Sequence, residues 1–255
     1  MKVAIIQSDI VWENPAANRQ IFQEKINSIR EEVDLIVLPE MFSTGFTMNP
    51  SSVAEKMTGS TVNWLVDLAK SKQAAITGSV IIEEANKYYN RMLFVYPTGE
   101  IKHYDKRHLF SLAKEEAFFT AGTEKVIVTY KDWKICLQIC YDLRFPVFAR
   151  NVENYDLLIY IASWPKPRVN AWDILLKARA VENLCYTIGV NRVGIDGSQL
   201  EYVGHSQAID YLGNSIIEPF ENDTVSIFSL ERAPMLETRS KLNFLNDKDE
   251  FVITI

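Results

Sequence analysis

Three side chains could do chemistry together, and two of them, Glu40 and Cys140, stand where an apolar tract ends, the place at which a buried strand would deliver them to the rim of a sheet. Glu40 closes DLIVLPE, at the carboxyl end of a strand where open α/β sheets put their sites; a solvated loop acid is the alternative. Lys106, in YDKRHLF between Asp105 and Arg107, reads in isolation as one of a solvated charge cluster. Cys140 ends KICLQIC and is followed by YDLRFP, which places a thiol at a strand-to-helix turn, where backbone N–H groups and a helix dipole favour the thiolate. Inert packing is the usual state of a lone buried cysteine, and Cys136 and Cys185, without that context, read as core. Together a thiol, a carboxylate and an ammonium would suit amide hydrolysis, which needs a nucleophile, a base, and donors where the carbonyl oxygen becomes an oxyanion.

The elements that must position these groups follow from periodicity. Short β-branched runs at 2–8, 34–39, 74–82, 91–97, 125–130, 133–140, 156–162, 185–191 and 205–210 read as strands, several apolar throughout as strands buried on both faces are. Between them, Ile21, Phe22, Ile26, Ile29 and Val33 keep to one face of a first helix. Ser60 is placed to cap a second, carrying Val62, Leu65, Val66 and Ala69, and a third runs from about Asn170 to Asn183 with Trp172, Leu175, Leu176 and Val181 available for burial. Tyr96-Pro97-Thr98-Gly99 and Tyr211-Leu212-Gly213-Asn214 read as hairpin turns. The pattern mixes βαβ units with antiparallel pairs. With no linker or repeat, residues 1–255 are expected to form one α/β domain with sheets inside and helices outside, ending in a charged, irregular arm from about Thr238.

Composition narrows the function classes. Hydrophobic residues make up 47% of the chain and charged residues 24%, the profile of an ordinary globular protein. Its 27 Lys and Arg against 33 Asp and Glu leave a net charge of −6, which argues against nucleic acid or an anionic membrane surface as partner. No apolar run approaches the roughly 18 residues of a membrane span, and MKVAIIQSD lacks the apolar stretch of a signal peptide, so a cytoplasmic location is expected. Three cysteines do not make a secreted disulfide framework. Neither they nor the scattered His103, His108 and His205 have metal-ligand spacing, so no metal is expected.

Taken together, LPE around Glu40, KRHLF after Lys106 and CYDLRFP at Cys140 resemble the nitrilase superfamily of carbon–nitrogen hydrolases, whose Glu-Lys-Cys triad has this order and spacing. The resemblance continues through ASWPKPRVNAWDILLKARAVEN, NRVG, YVGHSQAID and LNFLNDKDEF, stretches most similar to the bacterial omega-amidase branch. It implies a four-layer α-β-β-α sandwich, no cofactor, and a homodimer whose C-terminal arm crosses the partner. It also implies a small-molecule substrate: the terminal amide of a short α-keto dicarboxylic acid, 2-oxoglutaramate or 2-oxosuccinamate. Glu40 would take the proton of Cys140 and hand it to leaving ammonia, which calls for a partly buried carboxyl. Lys106 would hold Glu40 and, with the backbone N–H of Tyr141, bind the oxyanion.

The family's second acid, seven residues before the glycine of its AG tract, falls on Glu115 when counted from Gly122; Glu116 is the neighbouring alternative. The substrate's far carboxylate suits an arginine fork. Arg144 matches the arginine that contacts substrate in related amidases, although it could instead pair with Asp142 or another acid; Arg168 is a further candidate. Trp164 falls where relatives place an aromatic wall, and Phe42, Phe46, Phe118 and Phe119 flank the acid loops. Carbamoyl-amino-acid amidohydrolases and aliphatic nitrilases share the triad, and the segment from Trp164 to Val181 tilts the reading to omega-amidase. A catalytically silent binding module would be marked by loss of a triad member, and all three are present. A thiol-redox role would rest on Cys136 and Cys140, which on one strand lie about 13 Å apart, too far for a disulfide.

Overall fold

Alternation along each strand decides the layers. In β1 (Lys2–Gln7), Val3 and Ile5 face one way into the central core, while Ala4 and Ile6 face the other way into a second apolar cluster. The computed structural model describes residues 1–253. After β1 come α1 (Pro15–Ser28), β2 (Leu35–Val37), α2 (Pro50–Val53), α3 (Ser60–Lys72), β3 (Ala75–Glu84), β4 (Lys87–Val95), β5 (Ile101–Asp105), β6 (Ile127–Tyr130) and β7 (Trp133–Ile139). The second half runs through α4 (Pro146–Ala149), β8 (Leu157–Ile161), α5 (Val169–Asn183), β9 (Tyr186–Val190), β10 (Val193–Ile195), β11 (Glu201–Val203), β12 (Ser206–Ile209), β13 (Ser215–Phe220), β14 (Thr224–Ser229) and α6 (Arg232–Leu242).

Two six-stranded sheets result, ordered β14-β1-β2-β3-β4-β5 and β13-β12-β9-β8-β7-β6, with β10 and β11 forming a separate hairpin. Each sheet has a parallel centre, β1-β2-β3 in one and β7-β8-β9 in the other, flanked by antiparallel strands. The inward residues Val3, Ile5, Leu35 and Val37 pack on Ile135, Leu137, Ile139, Leu157 and Ile159 of the opposite sheet. Outside the first sheet, Phe22 and Ile26 of α1 and Val62, Leu65 and Ala69 of α3 cover Ile36, Leu38 and Ile76. Outside the second, Trp172, Leu176 and Ala180 of α5 cover Cys136, Leu158 and Tyr160. The order is therefore α-β-β-α, the four-layer sandwich expected.

Local chemistry explains most boundaries. Asn14 caps α1 by accepting from Ala17 N–H at 3.1 Å, with Pro15 at the first helical position. At α3 the cap is Gly59 and not Ser60, which is itself helical. The capping oxygen comes from outside the helix, since Glu55 Oε2 accepts from Thr61 N–H at 2.7 Å. Val181 is 49% exposed, so the buried face of α5 is narrower than its sequence suggests. Of the strands not legible beforehand, β10 and β11 form the separate hairpin, while β5, β13 and β14 lie at sheet edges, where partial exposure removes the apolar signal and where Pro219 in β13 is tolerated.

Thr238, taken as the start of an irregular arm, lies inside α6; Thr254 and Ile255, the last residues of that arm, lie outside the described residues. The helix is held by charge as well as by Met235, which is buried in the central core. Asp156, buried just before β8, accepts from Arg232 Nε at 2.9 Å and Arg239 Nη1 at 3.2 Å, and Arg239 also donates to the carbonyls of Tyr155 and Leu184. This clasp sits at the amino end of β8. Asp156→Ala should therefore lower stability by about 3 kcal/mol by stranding two guanidinium groups, a fall in Tm on the order of 6–10 °C read by calorimetry, without changing activity at the other end of the strands.

Candidate active site

The sheets face each other with their parallel strands ending at one rim, and the candidate residues come from those ends. Glu40 lies three residues beyond β2, Lys106 directly follows β5, Cys140 directly follows β7, and Ser163 lies two beyond β8. Two of these turns use left-handed backbone at non-glycine residues, with φ +46° at Cys140 and +44° at Met41. Such conformations cost on the order of 1 kcal/mol each and persist where surrounding bonds over-determine them. Here Met41 N–H is held by Ser79 Oγ at 2.8 Å. The backbone of Lys106 is fixed on both sides, its N–H donating to Asn90 O at 3.0 Å and its carbonyl accepting from Gly122 N–H at 2.9 Å. Gly122 lies so close to this strand end that a Cβ would stand 2.2 Å from Asp105 O; only glycine lets the segment lie there.

The side chains converge on the Lys106 ammonium. It donates to Glu40 Oε1 at 2.9 Å and to Glu115 Oε1 and Oε2 at 3.2 and 3.0 Å, and all three side chains are fully buried. Glu40 is further held by Asn90 Nδ2 at 2.8 Å on Oε1 and by the backbone N–H of Ser163 at 2.8 Å on Oε2. Glu115 Oε2 accepts from Phe110 N–H at 2.6 Å, which folds the loop after Lys106 back onto itself. Lys106 Nζ also stands 5.0 Å from the centre of the Phe46 ring.

Electrostatics follow from that packing. Burial disfavours the Lys106 ammonium, but Glu115, Glu40 and Cys140 outweigh it and hold its pKa well above the ordinary value. Burial pushes the Glu115 carboxyl up, aided by Glu40 and opposed by Lys106. Burial and then the Glu40 charge push the half-buried Cys140 thiol well up, against the pull of Lys106 and the Ser163 N–H. The favourable helix dipole expected at Cys140 is lacking, because the chain there makes one 3-10 segment, Cys140–Arg144, before the four-residue α4. The resting thiol is accordingly protonated at neutral pH.

Cys140, Lys106, Tyr141 and Ser163 open onto a cavity of about 170 Å³. Glu40 and Glu115 stand behind Lys106 and do not line it. Arg144 lies in the 3-10 segment rather than at a helix start, its guanidinium 4.9 Å from the Trp164 ring; Arg168 lies 5.2 Å from that of Phe110. Both face the cavity. Asp142, the acid that Arg144 might have paired with, is taken by Tyr104 and His108 instead. Trp164 forms wall as expected, its indole N–H donating to Arg168 O at 2.7 Å. Of the four phenylalanines only Phe46 lines the cavity; Phe42 and Phe119 are core, and Phe118 is 45% exposed.

The residues brought together thus include Glu40, Lys106, Glu115, Cys140, Tyr141, Arg144, Trp164 and Arg168, while Glu116 is exposed. Sequence reasoning passed over Asn90, Ser163, Trp12, Asp196 and Tyr202. The first two had a signal: Asn90 is a polar residue at the start of the apolar tract RMLFV, and Ser163 sits between a strand end and Trp164. The others come from the loop after β1 and from the β10-β11 hairpin, which adds a wall to the cavity. Asp196 puts an acid on that wall, but its oxygens already accept from Ser198 N–H, Leu200 N–H and the Tyr202 hydroxyl at 2.8, 3.0 and 2.8 Å. Among the described residues there is no cluster of His, Cys, Asp and Glu that could hold a metal ion.

Residues 2–240 match the carbon–nitrogen hydrolase family. The chain is 41% identical over 254 residues to the omega-amidase YafV of Escherichia coli strain K12, covering 98% of each. To the 2-oxoglutaramate amidase of Bacillus subtilis it is 31% identical over 250 residues, covering 96% of each. It superposes with a TM-score of 0.97 on the crystal structure of XC1258 from Xanthomonas campestris, a CN-hydrolase superfamily protein with an arsenic adduct in its active site, at 40% identity over 100% of this chain and 99% of that one.

The charge arrangement makes a specific prediction for the thiol. Since Glu40 pushes the Cys140 pKa up, Glu40→Gln should bring it down, giving more thiolate at neutral pH. The pH midpoint for alkylation by iodoacetamide, followed by mass spectrometry on Cys140, should shift to lower pH in that variant even as hydrolysis is lost. A midpoint unchanged or higher would show that the carboxylate does not set the thiol's charge.

Proposed function

The chain belongs to the carbon–nitrogen hydrolase family, and from that membership we propose that it is an omega-amidase releasing ammonia from the terminal amide of 2-oxoglutaramate or a close relative. The observation that carries the reading is the buried Glu40–Lys106–Glu115 cluster behind Cys140, opening onto a cavity whose walls carry two guanidinium groups. Glu40 accepts the thiol proton as Cys140 Sγ attacks the amide carbon. The oxyanion forms between the Lys106 ammonium and the Tyr141 backbone N–H, donors fixed before the reaction begins. Glu40 returns the proton to the departing ammonia, leaving a thioester on Cys140, and then activates the water that cleaves it. Glu115 holds Lys106 and balances its charge without touching the thiol. No cofactor enters these steps.

Recognition of the far end falls to the cavity walls. Arg144 or Arg168 receives the carboxylate, and Trp164 flanks it. The α-ammonium of glutamine is poorly received, because Asp196, the one carboxylate among the lining residues, already accepts three hydrogen bonds from its own hairpin. An unpaired ammonium in a half-closed site costs several kcal/mol. The amide group of glutamine and of its keto acid is the same, so discrimination resides in this distal pocket.

Ammonia release across 2-oxoglutaramate, 2-oxosuccinamate, glutamine, asparagine, a carbamoyl-amino acid and an aliphatic nitrile tests the assignment. The kcat/KM for 2-oxoglutaramate should exceed that for glutamine by at least about tenfold. Cys140→Ala should be inactive, Lys106→Ala should lose on the order of 10²-fold in kcat, and Arg144→Lys, which keeps charge but loses the fork, should raise KM more than it lowers kcat. Equal kcat/KM for the keto acid and the amino acid would reject the substrate; full activity in Cys140→Ala would reject the nucleophile.

The protein acts as a cytoplasmic homodimer in this reading. What supports the pairing is the outer face of α5, where Ile174 and Val181, seven residues apart, are 58% and 49% exposed, with Leu212 at 51% close by. Analytical ultracentrifugation at micromolar concentration should give twice the monomer mass, and Val181→Glu, which puts a charge on that face, should shift it toward monomer. A monomer in the unsubstituted protein would overturn the proposal.

A further inference from the structure

Asp142 takes part in none of the steps above, yet its carboxylate is fully buried and accepts four hydrogen bonds. Oδ1 accepts from the backbone N–H of His108 at 3.0 Å and from His108 Nδ1 at 2.7 Å. Oδ2 accepts from the Tyr104 hydroxyl at 2.8 Å and from the backbone N–H of Ile139 at 2.9 Å. The placement of these donors is what matters. Tyr104 and His108 bracket Lys106, two residues to either side, while Ile139 and Asp142 bracket Cys140 and Tyr141. Tyr104 belongs to β5 at the edge of the first sheet, and Ile139 ends β7 in the second. One carboxylate therefore ties together the segments carrying the ammonium and the thiol, which come from opposite sheets. Tyr104 Oη also accepts from Arg107 N–H at 3.1 Å. The His108 ring stacks on Phe145 at 3.9 Å and 5°, and Phe145 N–H returns to Asp142 O at 2.9 Å.

We propose that Asp142, acting with Tyr104, is the positioning residue that sets the distance between the Lys106 ammonium and the Cys140–Tyr141 turn. This rests on the reading of Lys106 and Cys140 as catalytic. An oxyanion bound jointly by Lys106 and the Tyr141 N–H needs both donors at one point, and they belong to different sheets. Lys106 hangs from an edge strand, so its place relative to the second sheet depends on cross-ties, and Asp142 accepts two bonds from His108 on one side of Lys106, one from Tyr104 on the other, and one from the strand bearing Cys140. A misplacement of about 1 Å reduces turnover on the order of 10²-fold. Neither Asp142 nor Tyr104 lines the cavity, so substrate binding in the ground state does not depend on them directly.

Steady-state kinetics on 2-oxoglutaramate, with melting curves, decide the matter. Asp142→Asn, which keeps the volume and removes half the acceptors, should lower kcat by about 10²-fold with KM within about threefold of the original. Tyr104→Phe, which removes one hydroxyl from a retained ring, should lower kcat by roughly tenfold with KM again little changed. Because both act through one tie, the double variant should be no slower than Asp142→Asn alone. Cys140→Ala serves as the control for the underlying reading: an active Cys140→Ala enzyme rejects the catalytic assignment itself. With Cys140→Ala inactive, an original kcat in folded Asp142→Asn or Tyr104→Phe, losses that multiply in the double variant, or losses that appear in KM instead of kcat would each overturn the positioning role. Should Asp142→Asn fail to fold, the kcat of Tyr104→Phe decides alone.

Discussion

The structure is organised around one ammonium group that has been taken out of water. A buried lysine is tolerated only where opposite charge and hydrogen bonds replace its hydration, and Lys106 obtains them from Glu40 and Glu115. One of these acids lies 66 residues away in sequence and the other nine, and both must be carried to it. Glu40 arrives on the turn after β2, and Glu115 on a loop that folds back through Phe110 N–H. The demands on neighbouring backbone follow: the close approach of Gly122, the left-handed turn at Met41, and the Ser163 N–H reaching across from the second sheet to Glu40.

That arrangement also acts on the thiol. Burial, and then the Glu40 charge beside it, push Cys140 up rather than down, against the pull of Lys106. In the proposed mechanism the nucleophile is thus formed as the proton moves to Glu40 during attack, when the carbonyl oxygen is drawing charge toward Lys106. Stabilisation is then greater in the transition state than at rest, which is the condition for catalysis. Storing a thiolate beforehand would spend the same field on the resting enzyme.

The sandwich separates tasks along its strands. The carboxyl ends of the parallel strands carry the chemical groups, while the opposite end carries the Asp156 clasp on α6, so stability and chemistry draw on different residues. In the proposed reading, substrate recognition is divided off in a third direction. The cavity walls come from the loop after β1, the 3-10 segment after Cys140, Trp164 and the β10-β11 hairpin, none of which belongs to the central sheets.

Much of this was legible in the chain itself, and the division has a physical basis. Strands buried on both faces, such as Leu35–Val37 and Leu157–Ile161, announce themselves as unbroken apolar runs, and the amphipathic faces of α1 and α3 by their spacing. Glu40 and Cys140 were legible because each is a polar or reactive residue ending such a tract, whereas Lys106 follows the edge strand β5 and became legible only when the three motifs together pointed to a family. What the sequence could not decide is anything that depends on edges or on contact between distant segments. The edge strands β5, β13 and β14 are half exposed and lose the apolar signal, and the β10-β11 hairpin has too few residues to show a period. Asn90 and Ser163 carry only the faint signal of a polar residue beside an apolar tract and Asp142 none; contact between segments distant in sequence turns them into partners of Glu40, Tyr104 and His108. The protonated thiol is the clearest case: a local reading of the turn at Cys140 favours thiolate, and the tertiary structure reverses it, because burial and the Glu40 charge come from parts of the chain that the local sequence does not contain.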